Sequence, residues 1–417
     1  MEAIIAGAGI GGLTLALALH KVGIASLVYE SASEIRPIGA GVNLLPHAAR
    51  ELSRLGLEAA LAGLAITTRE SVFFNRFGQR IFSEPAGRYA GYDWPQFSIH
   101  RGDLQQLLLE TCRQRLGPDR LHLGRKCVGF EQSAARVRAR FVDGATGGAP
   151  SEQDGDVLIA CDGLHSIVRK QLHPHESEPL YSGVNMWRGV TIWDPILSGA
   201  SMIRAGWLAT GKLVVYPIRD RVDAQGRQLV NWVAELATPK HTQRDWNRRG
   251  ALADFIGAYE DWHFDWLDVP AFIRGAEKIL EFPMIDQDPL PWWSEGRVTL
   301  LGDAAHPMYP RGSNGAGQAI LDARMLADCL ATHGEVASAL KAYEAARLDA
   351  TSKVVWANRS NPPDAILREV FERTGDRPFA HIDDVISHQE LAAFSDGYKR
   401  VAGYHRETLA ENARERH

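Results

Sequence analysis

Cysteine is scarce in this chain. Its 417 residues include four, Cys112, Cys127, Cys161 and Cys329, and no two are near enough for a C-x-x-C pair. A zinc ribbon and a disulfide scaffold are therefore excluded, and a reduced, cytoplasmic setting is expected. An excess of either charge is also lacking. Acidic residues number 51 and basic residues 46, giving a formal net charge of −5 and a pI near 6.3. With no Lys/Arg cluster, neither nucleic acid nor a membrane surface is an expected partner. Long apolar runs are missing too. The run Leu13 to Leu19 is stopped by His20 and Lys21, too short for a bilayer span, and no basic segment precedes it as in a secretory signal. Neither H-x-x-x-H spacing nor a Cys/His cluster suggests a metal. What remains is ordinary globular composition, 45% hydrophobic and 23% charged, long enough for about two or three domains.

The N-terminus reads as strand, glycine turn, helix, strand. Ala3 to Ala6 is a buried strand, Gly7 to Gly12 the turn, Leu13 to Val22 the helix, and Ala25 to Tyr29 the next strand, with Glu30 directly after it. This opens a βαβ unit with a parallel sheet. Helices are expected from about Pro46 to Leu55 and from Arg101 to Leu116. Residues 136–142 alternate as a half-buried strand, 143–155 read as a hairpin loop, and Val157 to Ala160 as a buried strand. Composition then shifts, since nine of the eleven tryptophans lie between Trp187 and Trp293. Strand-like runs at Leu213 to Ile218 and Leu229 to Glu235 mark a second, sheet-rich region. The first domain resumes with the strand Arg297 to Leu301. Helices follow from Gly315 to Cys329 and Ala337 to Asn358, until Pro362-Pro363 breaks the pattern. The tail beyond Ser395 reads as polar.

Three motifs stand out, the first and third for their chemistry and the second only through the resemblance given below. Gly7-x-Gly9-x-x-Gly12 lies between a strand and a helix. Its glycines allow a tight turn and close approach of backbone to a pyrophosphate at the helix N-terminus. Glu30 follows 18 residues after Gly12, where a carboxylate can accept hydrogen bonds from ribose hydroxyls. These features point to a dinucleotide without separating NAD from FAD; the bland alternative is a turn that merely packs helix on strand. The second motif, Cys161 to Arg169, reads CDGLHSIVR. The third, Arg297 to Asp322, reads RVTLLGDAAHPMYPRGSNGAGQAILD. It ends a strand at Gly302-Asp303, where an acid can bind a polyol, then loops into a helix whose N-terminus can face an electron-rich, partly anionic edge. No second G-x-G-x-x-G follows a strand, because Gly39-x-Gly41 lacks the third glycine. That speaks against a separate nicotinamide domain.

These motifs, in this order and framing about 300 residues, resemble the class A flavin-dependent aromatic hydroxylases, relatives of para-hydroxybenzoate hydroxylase. The resemblance implies an α/β (α+β) fold: a Rossmann-like FAD domain, an inserted antiparallel-sheet substrate domain and C-terminal helices. The expected division is 1–70, 98–180 and 291–330 for FAD, 71–97 and 181–290 for the substrate sheet, and 331–417 for the helical region. By the same resemblance, Gly7, Gly9, Gly11 and Gly12 cradle the FAD pyrophosphate, with Glu30 and Ser31 at the adenosine ribose. Arg101 contacts FAD, Val128 offers an adenine-side backbone contact, and Asp162-Gly163 serve both FAD and NAD(P)H. Asp303 holds the ribitol. Pro310, Gly315 and Ala316 run along the flavin ring, with Gly41 and Val42 on its other side. No metal is implied.

The longer runs MWRGVT, LVNWV and FPMIDQDPLPWWSEGRV are similar to phenazine hydroxylases within that family. They imply an aromatic or N-heteroaromatic substrate, phenazine-like and open to carrying a carboxylate. It would be hydroxylated with NADH or NADPH and O₂ through a flavin C4a-hydroperoxide. A homodimer is compatible with this. Expected substrate residues are His47, Trp187, Tyr216, Trp232, Pro310 and Arg311. Trp193 and Trp207 are further candidates for an aromatic pocket. His47 stands where many relatives have Asn and is a candidate proton acceptor, or else a helix-start histidine facing solvent. Arg311 can pair a carboxylate, or else lie in solvent. His306 is expected only to fix its loop. Two alternatives stay open: an FAD-dependent dehydrogenase or oxidase of the same fold, and a non-catalytic flavin-binding protein.

Overall fold

The computed structural model describes residues 1–35, 40–238 and 248–414; Gly39, Trp246 and the last three residues lie outside this range. The fold is built on a six-stranded sheet in the order Ser294–Glu295, Val298–Leu300, Val157–Ala160, Glu2–Ala6, Ala25–Glu30, Leu121–Leu123. Every pairing is parallel except that of the first two strands. Its central residues Ala3, Ile4 and Ile5 have no exposed surface. Such continuous apolar runs are what a parallel sheet covered on both faces requires. The helix Ile10–Lys21 packs against Gly315–Thr332 and Arg101–Leu116, so the glycine turn and the third motif come together through one helix pair.

A three-stranded antiparallel sheet, Arg125–Gln132, Val137–Asp143 and Ser151–Gly155, lies beside it. The expected loop over 143–155 is therefore shorter. Ser151–Gly155 is polar and Gly-terminated, with little intrinsic strand preference, and it is held by pairing with Val137–Phe141. Val128 is the extra residue of a bulge in this sheet. Cys127 pairs with Phe141 and Gly129 with Arg140, leaving Val128 without a ladder partner.

The second large element is an eight-stranded sheet. Its order is Arg248–Arg249, Ile279–Asp286, Leu180–Trp193, Gln228–Ala237, Gly211–Arg219, Ser201–Trp207, Glu70–Phe74, Arg80–Pro85. Gly41–Leu44, Phe97–His100 and Ile66–Thr67 form a small sheet that carries the chain between the two large ones. The tail differs from its polar reading. It forms the helices His388–Val401 and Arg406–Arg414, and Tyr398 and Ala402 are buried against Met308, Val354 and Val355. Leu391 of the first of these helices is buried as well, and Phe394 packs beside Phe82 and Ile366, so an apolar stripe docks it. Among the described residues no helix is long and apolar enough to cross a membrane, and no group of three or more His, Cys, Asp or Glu residues could hold a metal ion.

Candidate active site

The glycine turn is fixed by backbone contact. Gly7 has φ +109°, and a Cβ there would lie 2.3 Å from the Cys161 carbonyl oxygen. A Cβ on Gly12 would lie 2.0 Å from the carbonyl oxygen of Gly7, and one on Gly11 would press on Leu301 and Ala319. A Cβ on Gly9 would meet nothing within 4 Å among the described residues, and Gly9 caps the helix Ile10–Lys21. A helix start entered through a glycine with open space beside it is the arrangement that suits a pyrophosphate. Gln105, which sequence reasoning missed, donates from Nε2 to the Ala8 carbonyl at 2.8 Å. Glu30 is oriented by three donors: Ala8 N–H on Oε2, and Ser31 Oγ and Ala32 N–H on Oε1, each at 2.9 Å. Arg101 begins the helix Arg101–Leu116, is exposed, and donates its backbone N–H to the Ala40 carbonyl at 3.1 Å. Val128 is 41% exposed.

The second motif joins the third. Asp162 accepts from Ile167 N–H at 3.0 Å through Oδ2, while its buried Oδ1 has no hydrogen-bond partner among the described residues. Burial raises its pKa above the usual carboxylate value. Gly163 has φ +78° and open space around it. Arg169 Nη1 donates to the carbonyls of Ala304 and Ala305, each at 3.0 Å, tying the two motifs together. Asp303 stands exposed in the turn Gly302–Ala304, and a Cβ on Gly315 would lie 3.8 Å from its Oδ1. Behind the turn, Asp322 accepts from His306 Nε2 at 2.6 Å, Arg347 Nε at 2.7 Å and Gly302 N–H at 3.2 Å. Burial pushes the Asp322 carboxyl up, but His306 and Arg347 outweigh it and hold it below the usual range. His306 is thus a fastener of its loop.

Pro310 is exposed, and Gly315 and Ala316 are half-buried at the start of the helix Gly315–Thr332. The loop before that helix is clamped by the C-terminal segment, another feature the sequence reading missed. Tyr398 OH donates to Asn358 Oδ1 at 2.6 Å and accepts from Asn314 Nδ2 at 2.9 Å; Asn358 Nδ2 donates to the Tyr309 carbonyl at 3.1 Å. Four features fit FAD: the open cradle at Gly9, the oriented Glu30, the unpartnered Oδ1 of Asp162, and Asp303 exposed beside a helix N-terminus.

The eight-stranded sheet has two unlike faces. One carries Met186, Met202, Val214, Tyr216, Ile218, Val233 and Met284, packed with Tyr309 of the third motif. Gly41 lies over this face: a Cβ there would be 2.5 Å from Tyr216 Cε2. Gly41 donates to Asn231 Oδ1 at 2.7 Å and accepts from Arg188 Nη2 at 3.1 Å. Val42 is half-buried. Burial raises the Tyr216 pKa, although Arg188 hydrogen-bonds to it, so its hydroxyl keeps its proton at neutral pH. Arg311 Cζ lies 5.8 Å from the Tyr309 ring centroid, so Arg311 borders this face. Burial, then Asp286, pushes Tyr309 up to about 12.

Several substrate expectations need correction. Trp187 and Trp232 are buried on the opposite face, in a core with Phe255, Tyr259, Trp262 and Phe272. Trp187 stacks on Phe255 at 5.0 Å, and Trp232 Nε1 donates to Thr191 Oγ1 at 3.1 Å. Trp193 packs on that same core, and Trp207 packs beside Phe73 and Ile366. For Trp187, Trp193 and Trp232 the cause is strand alternation, which turns each away from the Tyr216 face; Trp207 follows Gly206, whose φ of +71° departs from extended strand geometry. His47 does not face solvent, and its surroundings do not suit a proton acceptor. It has no exposed surface, and its ring sits 5.4 Å from the Tyr404 ring, where a Cβ on Gly317 would lie 3.3 Å from its Cε1. Burial, then Arg50 and Arg347, lower its pKa to about 3. A neutral imidazole this weakly basic does not accept a proton near pH 7, and with no surface it touches no substrate. Arg188 and Asn231 were missed. Their signal is visible in hindsight: each is a polar residue on the parity opposite the tryptophans, within MWRGV and VNWV.

With this geometry in place, likeness to known proteins becomes informative. The FAD binding domain family model matches residues 1–203 and 285–358. The chain is 43% identical over 404 residues to phenazine 1,6-dicarboxylic acid hydroxylase PhzS of Lysobacter antibioticus, covering 96% of this chain and 97% of that one. It is 33% identical to the aurachin C monooxygenase/isomerase of Stigmatella aurantiaca, over 85% of this chain and 87% of the other. Among solved structures it is similar to Klebsiella pneumoniae HpxO complexed with FAD and uric acid, with TM-score 0.77, 24% identity, and 98% and 97% of the two chains covered. At that identity the likeness shows the fold. The chain belongs to the FAD-binding family of flavin-dependent aromatic hydroxylases.

Proposed function

We propose that this chain hydroxylates a carboxylated, phenazine-like N-heteroaromatic ring, with bound FAD, NADH or NADPH as transient reductant, and O₂. The observation that carries the reading is the Tyr216 face: an apolar floor of Val, Ile and Met, bordered by Arg311 and Arg188 and adjoining the FAD cradle through Gly41. Apolar surface with a few convergent polar groups suits a flat aromatic ligand. The likeness to a hydroxylase of phenazine 1,6-dicarboxylic acid supports the same substrate class.

FAD, when bound, supplies the redox chemistry that takes electrons from the nicotinamide and gives one oxygen atom of O₂ to the ring. The chain's own groups bind and orient. Amides after Gly9 hold the pyrophosphate, Glu30 and Ser31 the ribose, Val128 the adenine side, Asp303 the ribitol. Arg101 and Asp162-Gly163 complete the cofactor contacts. The helix start at Gly315-Ala316, with Pro310, would lie along the flavin, where its positive end would favour negative charge on the ring edge. Gly41 and Val42 close the other side. Arg311 pairs a substrate carboxylate. Tyr216, kept protonated by burial, offers a hydroxyl.

A cytoplasmic location fits the four free cysteines, and a homodimer is the oligomeric state to test by light scattering. The functional test is NADH and NADPH oxidation screened over phenazine carboxylates and hydroxybenzoates. Phenazine carboxylates are expected to stimulate it most. Stimulation by none of them would contradict the reading.

A further inference from the structure

One row of the eight-stranded sheet runs Arg188, Val233, Val214, Arg204. Arg188 pairs with Val233, Val214 pairs with Val233, and Arg204 pairs with Val214. Alternation puts all four on the Tyr216 face. Three ladder spacings separate the end residues, about 14 Å between Cα atoms. The row is thus a flat two-valine floor with a cation at each end.

The charges on this face do not all balance. Lys212 pairs with Glu235 at 3.0 Å and also with Asp364; Arg204 Nε pairs with Asp364 at 3.1 Å, and its Nη1 donates to Ser71 Oγ at 2.7 Å. Two cations meet two carboxylates, and Arg204 is committed to that network. Arg188 and Arg311 remain. Neither makes an ion pair among the described residues. Arg188 is bonded to the Gly41 carbonyl and to Tyr216, and its buried Nε has no hydrogen-bond partner among the described residues. A guanidinium held this way beside an apolar floor is under-satisfied. Arg311 lies at the other end, close enough to Asp364 to stabilise its negative charge.

We propose that Arg188 is a specificity-determining residue that binds a second carboxylate of the substrate, opposite the one paired by Arg311. The site then prefers an aromatic dicarboxylate to a monocarboxylate. This rests on the reading of the same face as the substrate pocket. The neutral floor separates the two anions, and each cation matches one of them. Specificity follows because a ligand lacking the second carboxylate leaves Arg188 unpaired.

The test compares the FAD-loaded parent with Arg188→Met and Arg188→Lys. Dissociation constants are read from the flavin absorbance change on titration with phenazine-1,6-dicarboxylate, phenazine-1-carboxylate and unsubstituted phenazine. Arg188→Met should weaken the dicarboxylate by about tenfold or more, the scale of a lost charge-assisted pair. The other two ligands should move far less, and Arg188→Lys should recover part of the loss. Equal weakening of all three ligands would overturn the inference and make Arg188 a prop for Gly41. An altered flavin reduction potential with unchanged ligand preference would overturn it in favour of the flavin as partner. If the parent binds none of the three, the pocket reading fails and takes this inference with it. If the parent binds them and the variant keeps the parent's preference, the inference alone fails.

Discussion

Trp187 and Arg188 are neighbours in sequence, yet they serve opposite faces of one sheet. Trp187 is 3% exposed and stacks in a dense aromatic core with Phe255; Arg188 reaches the Gly41 carbonyl beside Tyr216. The same holds along the partner strand for Trp232, which has no exposed surface, and Asn231, which accepts from Gly41. The back face is aromatic because it must fill volume between the sheet and residues 252–276. The front face carries Met, Val, Tyr and Arg, an apolar surface with a few polar heads. Richness in tryptophan therefore marks the packed face of this sheet, and the sparse polar residues of opposite parity mark the face proposed to take the substrate.

The largest effect that would sharpen this contrast is Trp232→Ala. Removal of a wholly buried indole should cost about 3–5 kcal/mol of stability, read as a lowered urea midpoint, with FAD retention and ligand binding falling together. A raised substrate KM at unchanged stability would return Trp232 to the pocket and break the comparison. Next comes Asp303→Ala, on the cofactor side. Loss of a polyol partner should weaken FAD by about 1–3 kcal/mol, measured by equilibrium dialysis. Unchanged retention would remove Asp303 from the ribitol.

The smallest effect concerns His47. Its folded pKa, about 3, lies below the ordinary value of 6.5, so the unfolded chain binds the proton more readily. The stability this contributes is complete above about pH 6.5 and declines as pH falls toward 3. Between pH 7.5 and 5.5 the parent should lose about 1 kcal/mol more than His47→Gln, at 1.36 kcal/mol per unit. Equal losses in urea titrations at the two pH values would mean that His47 is not held neutral by burial.

Much of the fold was legible because its signals are local. A glycine turn between an apolar strand and a helix, and Gly302-Asp303 ending another strand, each declare themselves within about a dozen residues. The pocket was less legible. Deciding which of Trp187 and Arg188 lies on the Tyr216 face needs the pairing partner and the layer behind the sheet, neither of which lies near in sequence. His47 misled because a histidine after proline at a helix start is usually wet, whereas here Gly317 and Tyr404 of distant segments enclose it. The clamp of Tyr398 on Asn314 joins positions 84 apart, and a charged tail concealed it.

The central claim is that the two-ended FAD cradle and the Tyr216 face act together to insert oxygen into an aromatic carboxylate. Incubation of the FAD-loaded protein with NADH or NADPH, phenazine-1,6-dicarboxylate and ¹⁸O₂, followed by mass spectrometry of the product, tests it most directly. The account predicts a hydroxylated product carrying one ¹⁸O atom, formed in step with nicotinamide oxidation. Nicotinamide oxidation that yields only hydrogen peroxide, or a product without the label, would contradict it.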